Sequence, residues 1–251
     1  MPEDKIIAQR KGHLGQVIFN NPGRHNAMSQ AMWEALAEVM ARFDADPEVR
    51  VIVFEGAGER AFVSGADISK FDSERATTDR IKGYGISVNR GYRAIQYSSK
   101  PTIAKIHGYC YGGGVGIAVC CDLRICSDDA SFCIPAAKLG VGYGFENTQV
   151  LMDLVGPSFA KEIFYTARRF DAEEARLMRL VNRVVPRLEL DSYIQEYVEK
   201  IINNAPLSLR ATNLIVNELL KKEGERNLTL CESLVEDCSK SEDIEEGRRA
   251  F

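Results

Sequence analysis

The first sixty residues alternate between two spacings of apolar positions. Short apolar runs at 5–10, 16–20 and 49–56 predict strands, the first two paired as a hairpin across a glycine-containing turn. Between the hairpin and the third run, apolar residues recur at helical spacing behind Ser29, a residue type that caps helix starts, and stop near Pro47. The expected order is therefore strand, strand, helix, strand.

The middle of the chain continues this alternation. We expect a helix over about 78–97 and a strand over 101–106. The glycines at 112–114 then open an apolar helix, and a further strand follows over 122–126. Buried strands that alternate with helices predict an α/β fold with a largely parallel sheet.

From about residue 147 the pattern is mostly helical, interrupted by a strand-like run at 180–185. This change divides the chain into an α/β core over 1–190 and a helical C-terminal region over 191–251. The sequence contains no internal repeat and no low-complexity tract.

Composition narrows the function classes. The chain has 251 residues, 45% of them hydrophobic and 27% charged, which is enough for one sizeable core. Acidic and basic residues are interspersed and the formal net charge is -4, so a nucleic-acid-binding face is not expected. No apolar run approaches the ~18 residues of a membrane span, and the first ten residues carry acids rather than a signal sequence. We expect a cytoplasmic protein that does not enter a membrane.

The seven cysteines do not indicate a metal site. Five of them lie between Cys110 and Cys133, yet none forms a CxxC pair or a cysteine and histidine spacing typical of zinc. Free cysteine behaves as a small buried hydrophobe, so we expect reduced core residues. No metal ligand is predicted.

The glycine-rich segment at 107–125, HGYCYGGGVGIAVCCDLRI, carries the first chemical signal. Three glycines that follow a strand and open a helix leave free N–H groups at the positive end of the helix dipole, which suits an oxyanion. A dinucleotide fingerprint would need a glycine where Ile117 stands. No nucleotide cofactor is therefore predicted.

The loop at 61–68, AFVSGADI, carries a second and weaker signal. Gly65 lets the backbone approach a ligand closely because it has no side chain, and Ser64 stands beside it. Read alone, this segment indicates only a tight turn.

Five segments together resemble the crotonase (enoyl-CoA hydratase/isomerase) superfamily. The family's order is reproduced by NPGRHNAMS, AFVSGADI, KPTIAKIHGYCYGGGVGIAVCCDLRI, KLGVGYG and RLVNRVVP. The resemblance implies a β-β-α spiral core with a helical C-terminal trimerisation region, assembled as a homotrimer or a dimer of trimers. It also implies an acyl-CoA thioester as the substrate, with no cofactor beyond the coenzyme A of that substrate.

Carried over by position, the resemblance assigns two oxyanion donors, the backbone N–H groups of Ala66 and Gly113. Two such donors stabilise an enolate as its charge develops, and losing one typically costs ~2.7–4 kcal/mol. Arg24 and His25 could equally form a solvated loop, and Asp67 could cap a helix. The remaining implied substrate and CoA contacts are Arg24, His25, Ala27, Ser64, Gly65, Asp67, Ile68, Gly112, Gly114, Gly116 and Ala136.

The chain departs from the family where a hydratase keeps its two glutamates. The first falls on Gly116 and the second on Ala136, while the aspartate of dienoyl isomerases falls on Gly144. Hydration requires one group to activate water and another to move the α-proton. Hydration by paired glutamates is therefore not expected.

Two residues remain as catalytic candidates. Tyr143 matches the tyrosine in the LGVPY segment of methylmalonyl-CoA decarboxylases, although those enzymes carry a histidine where this chain has Ala66. Decarboxylation needs no general base, since loss of CO₂ itself produces the enolate. Glu146 could serve as an isomerase base or could simply be a carboxylate at a helix start. Tyr143 could likewise line the pocket or pack in the core.

The sequence thus favours an acyl-CoA enzyme that stabilises a thioester enolate, by isomerase, decarboxylase or atypical hydratase chemistry. The alternative is a non-catalytic acyl-CoA-binding or structural homologue that kept the glycine loops after losing both acids. Retention of the turn at 112–114 and of Tyr143 favours the enzyme, whereas Gly116 and Ala136 favour the binder.

Overall fold

The computed structural model describes residues 5–70, 74 and 77–250. Residues 1–4, 71–73, 75–76 and 251 lie outside these ranges. The strands are β1 (Ile6–Lys11), β2 (Leu14–Phe19), β3 (Val51–Gly56), β4 (Ala61–Val63), β5 (Thr102–Ile106), β6 (Tyr109–Tyr111), β7 (Leu123–Ser127), β8 (Ser131–Cys133), β9 (Phe170–Asp171) and β10 (Arg183–Val185).

The described helices alternate with these strands and then dominate the second half of the chain. Ser29 accepts a hydrogen bond from the backbone N–H of Met32, so the expected N-cap of the first helix is confirmed. The α-helices are α1 (Gln30–Ala45), α2 (Thr78–Gln96), α3 (Gly113–Cys120), α4 (Phe145–Thr166), α5 (Ala172–Leu177), α6 (Leu190–Ile202), α7 (Pro206–Leu219), α8 (Leu228–Ser239) and α9 (Glu242–Ala250).

Two sheets organise the core. The main sheet has six strands in the order β1-β2-β3-β5-β7-β10, with β1 and β2 antiparallel and the other neighbours parallel. The second sheet has the order β4-β6-β8-β9, with only β8 and β9 antiparallel. The mainly parallel α/β fold is confirmed, whereas the second sheet was not expected because its strands are at most three residues long.

The main sheet is covered on both faces, as parallel sheets require. Along β3 the side chains alternate: Ile52 and Phe54 join the large core shared with the second sheet, whereas Val51 and Val53 face a smaller cluster. That cluster is closed by one face of α6, which contributes Leu190, Ile194 and Val198. The division of the chain at residue 190 and the trimerisation role of the helices after it stay predictions.

Helix α3 lies inside the protein. Nearly all of its residues are buried, as expected for a helix that is apolar around its whole circumference. A Cβ on Gly114 would stand 2.9 Å from the carbonyl carbon of Val63 in β4. Glycine is therefore required for α3 to pack this closely against β4, and this contact sets the position of the helix start.

The seven cysteines are free, as expected, and the five from Cys110 to Cys133 are buried. The expectation of a core position is wrong for Cys231 and Cys238, which are half-buried in the helical C-terminal region. Within the described ranges, no group of side chains has the composition of a metal site. None of the helices traced there is both long and apolar enough to cross a bilayer.

Candidate active site

Two glycine-containing turns meet at the start of α3. Gly112 has φ 49° and Gly65 has φ 107°, conformations that favour glycine. A Cβ on Gly65 would stand 3.7 Å from the backbone nitrogen of Gly113 and 3.8 Å from Cα of Gly112. The two segments that the sequence analysis selected are therefore in direct backbone contact.

The backbone around Ala66 is fixed by an isolated parallel bridge to Met28. Met28 donates its N–H to the Gly65 carbonyl at 2.8 Å, and Asp67 donates to the Met28 carbonyl at 2.9 Å. In such a bridge the flanking residues supply the hydrogen bonds, so the N–H of Ala66 itself is not used for pairing. It donates to no other backbone group of the described residues.

Gly113 presents a second available N–H. It is the first residue of α3, and the first N–H groups of a helix have no partner within the helix. Its N–H, like that of Ala66, reaches no backbone acceptor in the described part of the chain. Both residues line one cavity, so this arrangement can direct two donors at a single ligand oxygen.

The site cavity has a volume of about 400 Å³, large enough for an acyl group. Among the described residues that line it, none carries a charge; its polar groups are hydroxyls, amides and backbone. Four sides are formed by the two turns, by α2, and by the segment before and at the start of α4. The lining residues are Trp33, Ser64, Gly65, Ala66, Ile68, Ile81, Tyr84, Gly85, Val88, Asn89, Tyr92, Gly112, Gly113, Pro135, Ala136, Leu139, Val141, Gly142, Tyr143, Gly144 and Asn147.

At Gly116, where the resemblance places the first glutamate of a hydratase, the space for a side chain is occupied by Tyr92. A Cβ on Gly116 would stand 2.5 Å from Cζ of Tyr92 and closer still to its hydroxyl oxygen. Tyr92 comes from α2, is only 5% exposed, and donates a hydrogen bond of 3.3 Å to the Gly113 carbonyl. Burial raises the pKa of Tyr92 well above its ordinary value, and neighbouring Tyr143 raises it further.

Ala136, where the resemblance places the second glutamate of a hydratase, lies on the cavity wall. Ala136 lies in the short 3-10 helix Pro135–Leu139 and contributes to the cavity surface. Tyr143 lines the same side, with its ring centroid 5.0 Å from that of Phe164. Burial raises the pKa of the Tyr143 phenol above its usual range, so this hydroxyl is neutral near pH 7.

Glu146 lies outside the cavity lining. Its side chain is 59% exposed and pairs with Arg93, with 3.6 Å between Oε1 and Nη1. It occupies the first turn of α4, where a carboxylate is favoured by the helix dipole. The interpretation of Glu146 as a helix-start charge fits this geometry, and its interpretation as an isomerase base finds no support in it.

Three of the predicted CoA-binding residues, Arg24, His25 and Asp67, lie close to the turn at Gly65 and Ala66. Asp67 is 3% exposed, and its Oδ1 accepts hydrogen bonds from the backbone and the hydroxyl of Ser69, so it caps the following 3-10 turn. Arg24 lies 4.0 Å from the same oxygen, and His25 packs edge-on against Tyr109. Of these, none lines the cavity.

Some of the other predicted substrate contacts line the cavity, and the rest lie behind or beside its lining. Ser64, Gly65, Ile68, Gly112 and Ala136 line the cavity. Ile68 is 64% exposed and lies at the opening. The residues that lie behind or beside the lining are Ala27, Gly114 and Gly116.

The sequence analysis missed the contribution of α2. Tyr84, Val88 and Tyr92 follow one another at a spacing of four and line the cavity together with Asn89. This i, i+4 series of aromatic and apolar residues was visible as one helix face. The chain gave no sign that the face borders a cavity rather than a core.

Comparison with known proteins decides the family. A profile described as Enoyl-CoA hydratase/isomerase matches residues 9–251, nearly the whole chain. The chain belongs to the enoyl-CoA hydratase/isomerase family. This family assignment confirms the resemblance that was carried by the five sequence segments.

Relatives in this family are similar over most of their length. The chain is 33% identical to the short-chain-enoyl-CoA hydratase of Clostridium acetobutylicum, covering 100% of this chain and 95% of the relative. It is 35% identical over 217 residues to the carnitinyl-CoA dehydratase of Proteus mirabilis, covering 85% and 82%.

A solved family structure has the same fold. The enoyl-CoA hydratase/carnithine racemase from Magnetospirillum magneticum superimposes with a TM-score of 0.91 at 33% identity, covering 99% of this chain and 92% of that one. The spiral α/β core expected from the sequence is thereby confirmed.

Proposed function

We propose that this protein converts an acyl-CoA thioester through an enolate held by the N–H groups of Ala66 and Gly113, and that the reaction is decarboxylation of an α-carboxyacyl-CoA. The observation that carries this choice is the absence of any carboxylate or imidazole among the described residues lining the cavity. Enolate formation by proton removal needs a base, whereas loss of CO₂ does not.

The chemistry fits a neutral cavity. The bond between the α-carbon and the carboxylate breaks, CO₂ leaves, and the electron pair of that bond becomes the enolate. A carboxylate is destabilised in surroundings of low polarity, while the developing thioester oxyanion receives two aimed N–H donors. Tyr143 and Asn147 offer neutral hydrogen-bond donors that can orient the departing carboxylate.

Hydration or dehydration is the second candidate. The names of the relatives favour it, since proteins 32–35% identical to this chain are called crotonyl-CoA hydratase and carnitinyl-CoA dehydratase. Such a reaction would have to activate water without a carboxylate at Gly116 or Ala136. A non-catalytic acyl-CoA binder is the remaining alternative.

A substrate panel separates these functions. The protein is incubated with methylmalonyl-CoA, malonyl-CoA, crotonyl-CoA and a 3-enoyl-CoA, and the thioesters are weighed by mass spectrometry. We expect loss of CO₂ from an α-carboxyl substrate, weakened in Tyr143→Phe. Hydration of crotonyl-CoA at tens of turnovers per second or more, as in a good enzyme, would overturn the proposal. Binding without any product would establish the binder instead.

Assembly and location belong to the same proposal. We infer a homotrimer or dimer of trimers in the cytoplasm, from the family and from the absence, among the described helices, of one able to span a membrane. Light scattering of the purified protein tests the assembly. A monomeric mass at micromolar concentration would contradict it.

A further inference from the structure

Tyr92 brings a phenol oxygen to the first turn of α3. Its ring is held edge-on against Trp33, with centroids 4.8 Å apart and planes at 72°. A Cβ on Gly113 would stand 3.6 Å from the Tyr92 hydroxyl oxygen. The phenol therefore lies beside the residue whose N–H is proposed to hold the thioester oxygen.

Few groups in the cavity can transfer a proton. The polar side chains of its described lining are the phenols of Tyr84, Tyr92 and Tyr143, the amides of Asn89 and Asn147, the indole of Trp33 and the hydroxyl of Ser64. Tyr84 accepts a hydrogen bond from the Trp33 indole at 3.4 Å. The enolate left after CO₂ departs must nevertheless gain a proton at its α-carbon.

We propose that the Tyr92 hydroxyl donates this proton, so that a phenol from α2 acts in the space where family members carry a carboxylate on α3. This inference rests on the proposed enolate function and adds a catalytic residue to it. The α-carbon is two covalent bonds from the oxygen held by Gly113, and Tyr92 is the phenol of the cavity lining that lies beside Gly113.

The step balances with water as the only co-reactant. The Tyr92 hydroxyl turns its hydrogen from the Gly113 carbonyl toward the enolate. Its O–H bond then breaks, a C–H bond forms at the α-carbon from the enolate electron pair, and the thioester carbonyl is restored. The phenolate then takes a proton from water that enters as the product leaves. Because burial raises the pKa of Tyr92, the resting group is protonated and serves as a donor rather than a base.

Tyr92 is better placed for this role than Tyr143. Tyr143 is a neighbour of Tyr92, but its ring packs against Phe164 of α4. Tyr92 contacts Gly113 directly through its hydrogen bond to the carbonyl. Tyr143 is left to orient the departing carboxylate.

Stereochemistry in heavy water tests the proton donor. Methylmalonyl-CoA is decarboxylated in D₂O, and the configuration of the 2-deuteriopropionyl product is determined after hydrolysis. We expect one configuration from the wild type, because a fixed donor serves one face of the enolate. In Tyr92→Phe we expect continued CO₂ release with product of mixed configuration, because solvent then supplies the deuteron.

The matched control is Tyr111→Phe. Tyr111 precedes the same glycine turn, but its hydroxyl bonds to Ser131 at 3.1 Å and it is not part of the cavity lining. It should keep the single configuration. A single configuration from Tyr92→Phe, or a mixed one from the wild type, would overturn the role of Tyr92 while leaving the proposed function intact. A merely structural role would change binding or melting without changing the configuration.

A second measurement does not depend on turnover. Acetoacetyl-CoA ionises to an enolate that absorbs in the near ultraviolet, so its bound state can be titrated optically. We expect Tyr92→Phe to bind this enolate about tenfold more weakly, as for a lost hydrogen bond to a charged group. Unchanged binding would count against Tyr92 even if no substrate were decarboxylated, whereas absence of CO₂ release alone would count against the proposed function.

Discussion

The resemblance to hydratases places a glutamate at two positions of the site, Gly116 and Ala136, and the surroundings of these two positions differ. On the side formed by α2 and α3, the space in front of Gly116 is filled by Tyr92. On the side formed by residues 135–147, Ala136 contributes only a small side chain to the cavity surface. A position without the expected side chain therefore has to be judged together with its neighbours, since Tyr92 brings a polar group to Gly116, whereas Ala136 faces the cavity with a methyl group.

The largest expected effect on turnover comes from removing the backbone N–H of Gly113, on the side formed by α2 and α3. Gly113→Pro deletes the N–H at a helix position that tolerates proline. We expect the rate of decarboxylation to fall by about 100- to 1,000-fold, as for the loss of an oxyanion donor. Rates are measured under saturating substrate, and circular dichroism checks the fold.

Gly113→Ala is the matched control, since it keeps the N–H. Its Cβ would stand 3.3 Å from Cζ2 of Trp33, a tight contact that a small shift relieves. Comparable losses in the proline and alanine variants would assign the effect to packing and contradict the donor role of Gly113.

A glutamate at position 116 should lower the free energy of unfolding more than a glutamate at position 136. Gly116→Glu overlaps the Tyr92 ring and should lower the free energy of unfolding by about 1–3 kcal/mol, the usual cost of overpacking. Ala136 lines the cavity, so Ala136→Glu can direct its carboxylate into that space and should lower the free energy of unfolding less than Gly116→Glu does. Urea unfolding of both variants measures the difference.

A double-mutant cycle tests whether a side chain at position 116 overlaps the Tyr92 ring. Gly116→Glu combined with Tyr92→Ala should be less destabilised than the sum of the two single changes by at least about 1 kcal/mol. Equal stability of the two glutamate variants, or additive effects in the cycle, would show that Tyr92 does not occupy the space in front of Gly116.

The same design tests gain of activity. A protein carrying Gly116→Glu, Ala136→Glu and Tyr92→Ala has both acids and room for them. We expect slow hydration of crotonyl-CoA to appear in this triple variant and not in Gly116→Glu alone. Mass analysis after incubation detects the added water.

The smallest effect concerns alkaline stability. Because the pKa of Tyr92 is higher in the folded protein, its contribution is fully present below the unfolded value of about 10 and is lost as the pH rises through the folded value. The wild type should lose up to about 1.4 kcal/mol per pH unit from this group above pH 10. Tyr92→Phe should not show that loss, and the exposed Tyr165→Phe should behave as the wild type.

Local pattern was sufficient for the longer elements. The hairpin, the Ser29 cap of α1 and the glycine start of α3 depend on neighbouring residues, so the sequence predicted them. The second sheet depends on pairing between segments far apart, such as Phe132 with Phe170, and its strands are too short to reveal a period. Its discovery required the structure.

The candidate site divides in the same way. The turns at Gly65 and Gly112 were predictable because they need glycine conformations. Tyr92 was not, because its hydroxyl reaches Gly116 only through the packing of α2 on α3. The sequence shows that no glutamate stands at position 116, and only the packing shows that Tyr92 occupies the space there.

The bridge between Met28 and Ala66 affects which residues of the cavity lining can be substituted without loss of the oxyanion site. It anchors one edge of the turn to the fully buried Met28, so the direction of the Ala66 amide is set by interior backbone and not by the residues that surround the acyl group. Residues such as Ile81, Val88 and Leu139 can then vary, and with them the shape of acyl chain that fits, while the reacting carbonyl keeps its place.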